Sequence, residues 1–94
     1  MDLNNIPEAL TLPLRLKILC LLIDRKRAFN ELKTLTKATD GNISVQLSKL
    51  EQWGFVCSEK IPVGKKRSNT IYEITPFGVS QLEEYVECLQ RVIQ

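Results

Sequence analysis

Few residues in this chain have side chains suited to chemistry, and their types exclude most catalytic and metal-binding arrangements. Its three cysteines, Cys20, Cys57 and Cys88, are widely spaced, and the 94 residues contain no histidine. An odd number of separated cysteines favours neither a disulfide framework nor a Cys/His zinc site, and His-dependent catalysis is excluded. There is no glycine-rich phosphate loop and no nucleophile beside a base, so no enzyme, metal site or cofactor is expected.

The charged residues are distributed unevenly along the chain. Residues 11–75 hold 12 Lys and Arg against 6 Asp and Glu, whereas the net charge of the whole chain is only +2. Both ends are acidic, and the terminal cluster of Glu83, Glu84 and Glu87 is best interpreted as a solvated helix face. A basic middle section with acidic ends is typical of a nucleic-acid-binding protein, although an ordinary mixed-charge surface would give similar numbers.

Two helices are predicted in the first part of the chain. Residues 12–23 are apolar on most sides, with Pro13 suited to a first helical turn, and they predict a buried helix with Cys20 on an apolar face. Residues 30–36 predict a second, shorter helix with Asn30 as its N-cap.

A third helix is predicted over residues 40–53, after a short polar connection. Its apolar face consists of Ile43, Leu47 and Leu50. Because these residues recur at helical spacing, the small and polar residues between them lie on the opposite side of the helix. Thr39 or Asp40 can cap its first turn, and Gly54 suits the left-handed residue that follows a helix.

Beyond this helix the apolar period changes to two residues, which predicts strands over residues 55–61 and 70–75. Residues 62–69 join them as a basic loop, so the pair is interpreted as a hairpin with a cationic tip. A C-terminal helix over about residues 76–94 follows, with Thr75 as its N-cap and a proline at its first position.

These elements follow one another in a recognisable order, with local motifs at matching places. The motifs are Phe29-Asn30-Glu31-Leu32-Lys33, Thr39 to Ser44, Leu47 to Glu51, Gly54-Phe55-Val56 and Tyr72 to Gly78. Together they resemble the winged helix-turn-helix DNA-binding domains related to the MarR and ArsR transcriptional regulators, over residues 12–94. The resemblance implies an α+β, mostly α fold: a three-helix core, a β-hairpin wing and a long C-terminal dimerisation helix, in one domain over residues 1–94.

The resemblance also implies a function and a set of contact residues. It implies a cytoplasmic transcriptional regulator, usually a repressor, that binds double-stranded DNA with helix 40–53 in the major groove and wing 62–69 on the backbone or minor groove. Base contacts are implied for Asp40, Gly41, Asn42, Ser44, Val45, Gln46 and Ser48, and phosphate or wing contacts for Lys49, Gly64, Lys65, Lys66, Arg67 and Ser68. The side-chain chemistry agrees, because Asn and Gln amides read adenine edges, valine contacts a thymine methyl group and cations bind phosphates.

The apolar stripe of the terminal helix allows two interpretations, packing on its own domain or on a second copy. The stripe consists of Leu82, Tyr85, Val86, Leu89, Val92 and Ile93. Because a small domain does not cover two long apolar helices by itself, a homodimer is predicted. A dimer places two recognition helices roughly 34 Å apart and predicts a palindromic operator. The alternative function is a winged-helix protein–protein interaction module without sequence-specific DNA binding.

Other features separate the chain from larger relatives of this type. It is shorter than a typical MarR-like protein, lacks a second long helix for dimerisation and lacks the Cys/His metal-sensing pattern of many ArsR-like proteins. The sequence therefore does not identify an effector. No apolar run is long enough to span a membrane, and no secretion leader is recognised, so membrane association is not expected.

Overall fold

The computed structural model describes residues 1–94 and contains four α-helices, three β-strands and one short 3-10 helix. In chain order these are the 3-10 helix Glu8–Leu10, α1 Pro13–Asp24, β1 Arg27–Ala28, α2 Phe29–Thr36, α3 Asp40–Gln52, β2 Val56–Val63, β3 Arg67–Ile74 and α4 Pro76–Ile93. The predicted architecture of a three-helix core, a hairpin wing and a long terminal helix is confirmed.

The core lies where α1, α2 and α3 meet the base of the hairpin. Its buried side chains are Ile18, Leu19 and Leu22 of α1, Leu32 of α2, Ile43, Leu47 and Leu50 of α3, the hairpin residues Phe55 and Val56, and Ala9 and Leu10 of the 3-10 helix. Burying an aliphatic or aromatic side chain of this size contributes about 1.5–3 kcal/mol, which makes this cluster the main source of stability. The predicted apolar face of α3 is confirmed.

The first helix is less completely buried than its sequence predicts. α1 packs on the core through one stripe at a spacing of three to four residues, so its other side faces solvent. Cys20 lies on the exposed side, and the prediction that it is buried is wrong. Ile23 is also exposed, whereas Cys88 of α4 is buried.

The hairpin is longer and its turn tighter than predicted. β2 and β3 pair in antiparallel register as far as Val63 opposite Arg67, so only residues 64–66 form the turn. Most of the loop predicted over residues 62–69 is therefore strand. Gly64 opens the turn with φ +79°, a left-handed conformation that glycine adopts at low cost.

A third strand, β1, was not predicted. The sheet order is β1-β3-β2, and Arg27 and Ala28 pair with Tyr72 and Ile71 of β3. This short strand lies between α1 and α2 and ties the helices to the wing.

The helix ends follow the sequence signals with one exception. The Thr39 and Thr75 hydroxyls each accept the backbone N–H three residues on, and they cap α3 and α4 as predicted. Gly54 has φ +79° just beyond α3, which is also as expected. The prediction that Asn30 caps α2 is wrong, because β1 leads directly into a helix that begins at Phe29.

The long helix α4 starts against the base of the hairpin and runs along α1. The ring of Phe77 packs edge-on against that of Phe55, with the ring centroids 5.3 Å apart. Near its other end, Arg91 donates a hydrogen bond to the carbonyl of Met1. Neither this helix nor any other is both long enough and apolar enough to cross a membrane.

Candidate nucleic-acid interface

α2 and α3 are joined by a turn of three residues, 37–39, in a helix-turn-helix arrangement. Lys37 ends α2 in the left-handed conformation, with φ 58°, and its N–H bonds the carbonyl of Thr34. Across the turn, the Lys33 ammonium lies 2.9 Å from the Asp40 carboxylate. The left-handed residue ends α2, and the ion pair joins the end of α2 to the start of α3 across the turn.

The outer face of α3 is small, polar and exposed. Ile43, Leu47 and Leu50 face the core, and the residues between them face solvent. The exposed residues of the first three turns are Asp40, Gly41, Asn42, Ser44, Val45 and Ser48, with Lys49 half-buried beside them. The expected contact residues therefore share one accessible face, with the exception of Gln46.

Gln46 is not available for a base contact, contrary to expectation. Its side chain is only 7% exposed. Its Oε1 accepts from Arg15 Nε at 2.8 Å, and its Nε2 donates to Asn42 Oδ1 at 3.2 Å. Each polar end of the amide therefore has a partner within the protein. The 100° helical projection places residue 46 at the border of the apolar face, and the arginine on α1 decides the side on which it lies.

Arg15 is buried, although its residue type alone indicates ordinary surface charge. The residue is 6% exposed, and its guanidinium carbon lies 4.9 Å from the centroid of the Trp53 ring. Besides Gln46 it donates to the carbonyl of Glu8, at 2.8 Å. The guanidinium therefore links the 3-10 helix and α1 to the middle and the C-terminal end of α3. An arginine near the start of a mostly apolar helix was the only sequence signal for this role.

A second group of cations is engaged within the protein. Arg27 donates to Asp24 and Glu31, and Arg25 also bonds Glu31. Desolvation by itself raises the pKa of Glu31, but the hydrogen bonds and positive charges of Arg27 and Arg25 outweigh it and hold that pKa below its usual value. Lys26 pairs with Glu73 of β3 at 3.5 Å. These cations hold β1, α2 and the wing together.

The wing carries cations that no acidic partner neutralises. Residues 57–69 are exposed throughout. None of the ion pairs in the structure involves Lys60, Lys65, Lys66 or Arg67. The wing tip is therefore a region of concentrated positive charge. It belongs to the same sheet as β1, which leads into α2, and it follows α3 in the sequence.

The terminal stripe of α4, as defined above, is largely uncovered. Val86, Leu89, Val92 and Ile93 are exposed, the last of them to 83%, while Leu82 and Tyr85 are half-buried. A groove of about 340 Å³ runs between the stripe and Ile23 of α1, with Glu83 and Glu87 at its rim. An apolar surface of this extent on one helix is typical of an association surface.

The fold and this interface define a winged helix-turn-helix protein. Over residues 14–93 the chain matches the family model described as a winged helix DNA-binding domain, and it belongs to that family. It is therefore a DNA-binding domain of the kind found in transcriptional regulators. Such regulators are not enzymes, so the expectation of a non-enzymatic function is confirmed on this ground.

Individual relatives agree with the family. The chain is 42% identical over 78 residues to an uncharacterised protein of Methanocaldococcus jannaschii, across 81% of this chain and 84% of that protein. A transcriptional regulator homologue from Pyrococcus horikoshii superposes with a TM-score of 0.76 at 33% identity, covering 86% of this chain and 80% of that one. Bacillus subtilis PadR, solved in complex with operator DNA, shares the fold with a TM-score of 0.68 at 23% identity, over 74% of this chain and 44% of its own.

Proposed function

We propose that this protein is a sequence-specific, homodimeric regulator that binds double-stranded DNA and represses transcription, with residues 1–94 acting as one unit. The observation that carries the proposal is the exposed polar face of α3, flanked by a wing whose cations have no acidic partner. In this arrangement α3 enters the major groove and the wing lies on the adjacent backbone or minor groove. The solved complex of Bacillus subtilis PadR, which shares the fold, with operator DNA supports binding to double-stranded DNA.

The exposed α3 residues supply the sequence readout. Ser44 and Ser48 donate to or accept from base edges, and Val45, which is 49% exposed, packs on a thymine methyl group. Asp40 accepts from a cytosine amino group, while its ion pair with Lys33 reduces its repulsion from phosphates. Gly41, for which a base contact was implied, is instead assigned to the DNA backbone, because without a side chain it brings the N–H groups of the first turn close to a phosphate.

Residues of the wing and the end of α3 supply the sequence-independent part of the affinity. Lys65, Lys66 and Arg67 bind phosphates, with Gly64 and Ser68 shaping the tip, and Lys49 binds the backbone beside α3. Each neutralised phosphate releases counterions, so binding weakens as salt rises.

Dimerisation through the terminal stripe completes the proposed DNA-binding unit. Two copies related by a two-fold axis present two α3 helices to one side of the duplex, about 34 Å apart. The operator is then palindromic. The uncovered residues Val86, Leu89, Val92 and Ile93 support this interface.

The wing is tested by replacing Lys65, Lys66 and Arg67 together with alanine. We expect binding to all duplexes to weaken alike, and the salt dependence of the affinity to fall by about 0.9 in log–log slope for each phosphate that the variant no longer neutralises. Fluorescence-anisotropy titration of labelled duplexes at several salt concentrations measures both effects.

The control for the wing variant is Lys17→Ala, which removes an exposed cation of α1 that lies outside the proposed interface and forms no ion pair. This control should bind DNA almost as the wild type does. An unchanged salt slope in the wing variant would contradict the assigned phosphate contacts.

Gly41 gives a second test, because stability and binding should change in opposite directions. A Cβ atom at this position meets no atom within 4 Å, so Gly41→Ala should stabilise the fold by about 0.4–1 kcal/mol through chain entropy. The methyl group should hold the first turn of α3 away from the backbone and lower DNA affinity at least about tenfold, the value of one hydrogen bond to a charged group. Thermal melting and anisotropy measure the two effects. Unchanged affinity in a stabilised variant would exclude a close approach of this turn to DNA.

A protein-interaction module is the second candidate function, and exposed apolar residues on the wing favour it. Ile61 and Val63 lie in the same strand at a spacing of two, on one face of β2, and both are exposed. Retained dimerisation without binding to any duplex at low salt would favour this function over the first.

A further inference from the structure

A chain of hydrogen bonds runs from the interior of the protein to the DNA-facing end of α3. Arg15 Nη1 donates to the Glu8 carbonyl and Arg15 Nε donates to Gln46 Oε1, both at 2.8 Å. Gln46 Nε2 then donates to Asn42 Oδ1 at 3.2 Å. Asn42 is exposed, so the last amide in the chain is in contact with solvent.

Arg15 determines which group donates and which accepts at each step of this hydrogen-bond chain. A guanidinium group has donors only, so Gln46 must present its oxygen to Arg15. The Gln46 amide nitrogen therefore faces Asn42, and because that nitrogen is a donor, Asn42 must present its oxygen in turn. The Asn42 amide nitrogen is consequently directed away from Gln46.

The surroundings of this hydrogen-bond chain also prevent its amide groups from turning over. Gln46 and Arg15 are buried, and Arg15 is backed by the Trp53 ring. Turning the Gln46 amide over would set its donor against the Arg15 donor where little water can intervene. The backbone of Asn42 is fixed as well, because its N–H donates to the Thr39 hydroxyl that caps α3.

We propose that Gln46 is a specificity-positioning residue: it fixes the Asn42 amide so that Asn42 offers DNA a hydrogen-bond donor. This inference rests on the proposed function. In the major groove, guanine and thymine present the carbonyl acceptors O6 and O4, whereas cytosine presents only its amino donor. Adenine offers N7 as an acceptor, but the paired contact that asparagine makes with it also needs the amide oxygen to face the adenine amino group, and here that oxygen is turned towards Gln46. Asn42 therefore prefers guanine or thymine, rather than the adenine expected from residue type alone.

The substitution Gln46→Glu tests this proposal by reversing the polarity of the chain. A glutamate keeps the shape of the side chain and still accepts from Arg15, but its second oxygen also accepts. Asn42 then turns its nitrogen inward and its oxygen towards DNA, where the oxygen accepts from the amino groups of adenine or cytosine. In selections from random duplexes, one position in each half-site should change from guanine or thymine to adenine or cytosine, with a discrimination of about fivefold or more.

Two further variants complete the test. Gln52→Glu makes the same charge change at an exposed position of the same helix, so it should lower overall affinity and leave every base preference unchanged. Asn42→Asp places an acceptor directly at residue 42, which faces DNA, and should give the same base preference as Gln46→Glu. It therefore tests the proposal even if the Gln46→Glu protein folds poorly. Retained DNA binding with an unaltered preference in both Gln46→Glu and Asn42→Asp would overturn the proposal.

The side-chain amides also report on this hydrogen-bond chain when no DNA is present. In NMR exchange measurements on the free protein, the Gln46 amide hydrogens should exchange more slowly than those of Gln52, and in Gln46→Glu the Asn42 amide hydrogens should gain protection. Equal exchange at Gln46 and Gln52 would overturn the positioning role, whereas a protected Gln46 in a protein that binds no duplex would overturn the proposed function and its base readout.

Discussion

Gly78→Ala is expected to destabilise the fold more than alanine at any other glycine of this chain. Gly78 is buried in the first turn of α4, and a Cβ atom there would lie 2.8 Å from Ile74 Cγ1 and closer still to the Phe55 carbonyl oxygen. That carbonyl accepts from the Thr75 N–H at 2.9 Å, so it cannot move away without breaking the start of α4. We expect a loss of about 3 kcal/mol in the free energy of unfolding.

For a domain of this size such a loss lowers the melting temperature by about 12–24 °C. Thermal and urea unfolding followed by circular dichroism measure it. Gly41→Ala is the matched control, because it is the same substitution in the first turn of α3, where a Cβ atom meets open space. Similar melting temperatures for the two variants would contradict the close packing of α4 on the base of the hairpin.

Leu89→Glu is expected to separate the proposed dimer and to remove most of the operator affinity. Leu89 lies in the exposed part of the terminal stripe, so the monomer should remain folded. An isologous interface would bury the new carboxylate twice, once from each copy, without a partner for either charge. A monomer contacts only one half-site, whereas the dimer contacts two that are linked. Affinity for an operator with two half-sites should therefore fall at least about 100-fold.

Sedimentation velocity and anisotropy on the same samples test this prediction. Ser80→Glu, which adds the same charge to an exposed polar position of α4, serves as the control and should leave both the dimer and the affinity intact. A Leu89→Glu protein that remains dimeric would place the interface elsewhere. A monomeric Leu89→Glu protein with wild-type affinity would show that the stripe is not needed for DNA binding.

The helices were predictable because their signals are local. The spacing of Ile43, Leu47 and Leu50 and the cap at Thr39 located α3 to within one residue of its observed end. β1 could not be predicted in the same way, since two residues carry no periodicity and the strand exists only because β3 pairs with it. The start of α2 was misplaced for the same reason: β1, rather than the capping preference of Asn30, decides where that helix begins.

The site was predictable only in outline. Residue type and helical projection identified the exposed face of α3, but they could not show that Gln46 is buried. That depends on Arg15, which lies 31 residues away in sequence and meets Gln46 only in the folded protein. Similarly, the sequence showed twelve cations in the middle of the chain without showing which are already paired. The structure pairs Arg25, Lys26 and Arg27 with carboxylates and leaves the wing tip unpaired.

The central claim, sequence-specific binding to double-stranded DNA, is tested most directly by selecting duplexes from a random pool and measuring the affinity of the winner against a scrambled duplex. The selected sequence should be palindromic, with half-site centres about 10–10.5 base pairs apart. At moderate salt it should bind at least about 1,000-fold more tightly than the scrambled duplex. Equal affinity for the two duplexes, or no binding to either, would contradict the account.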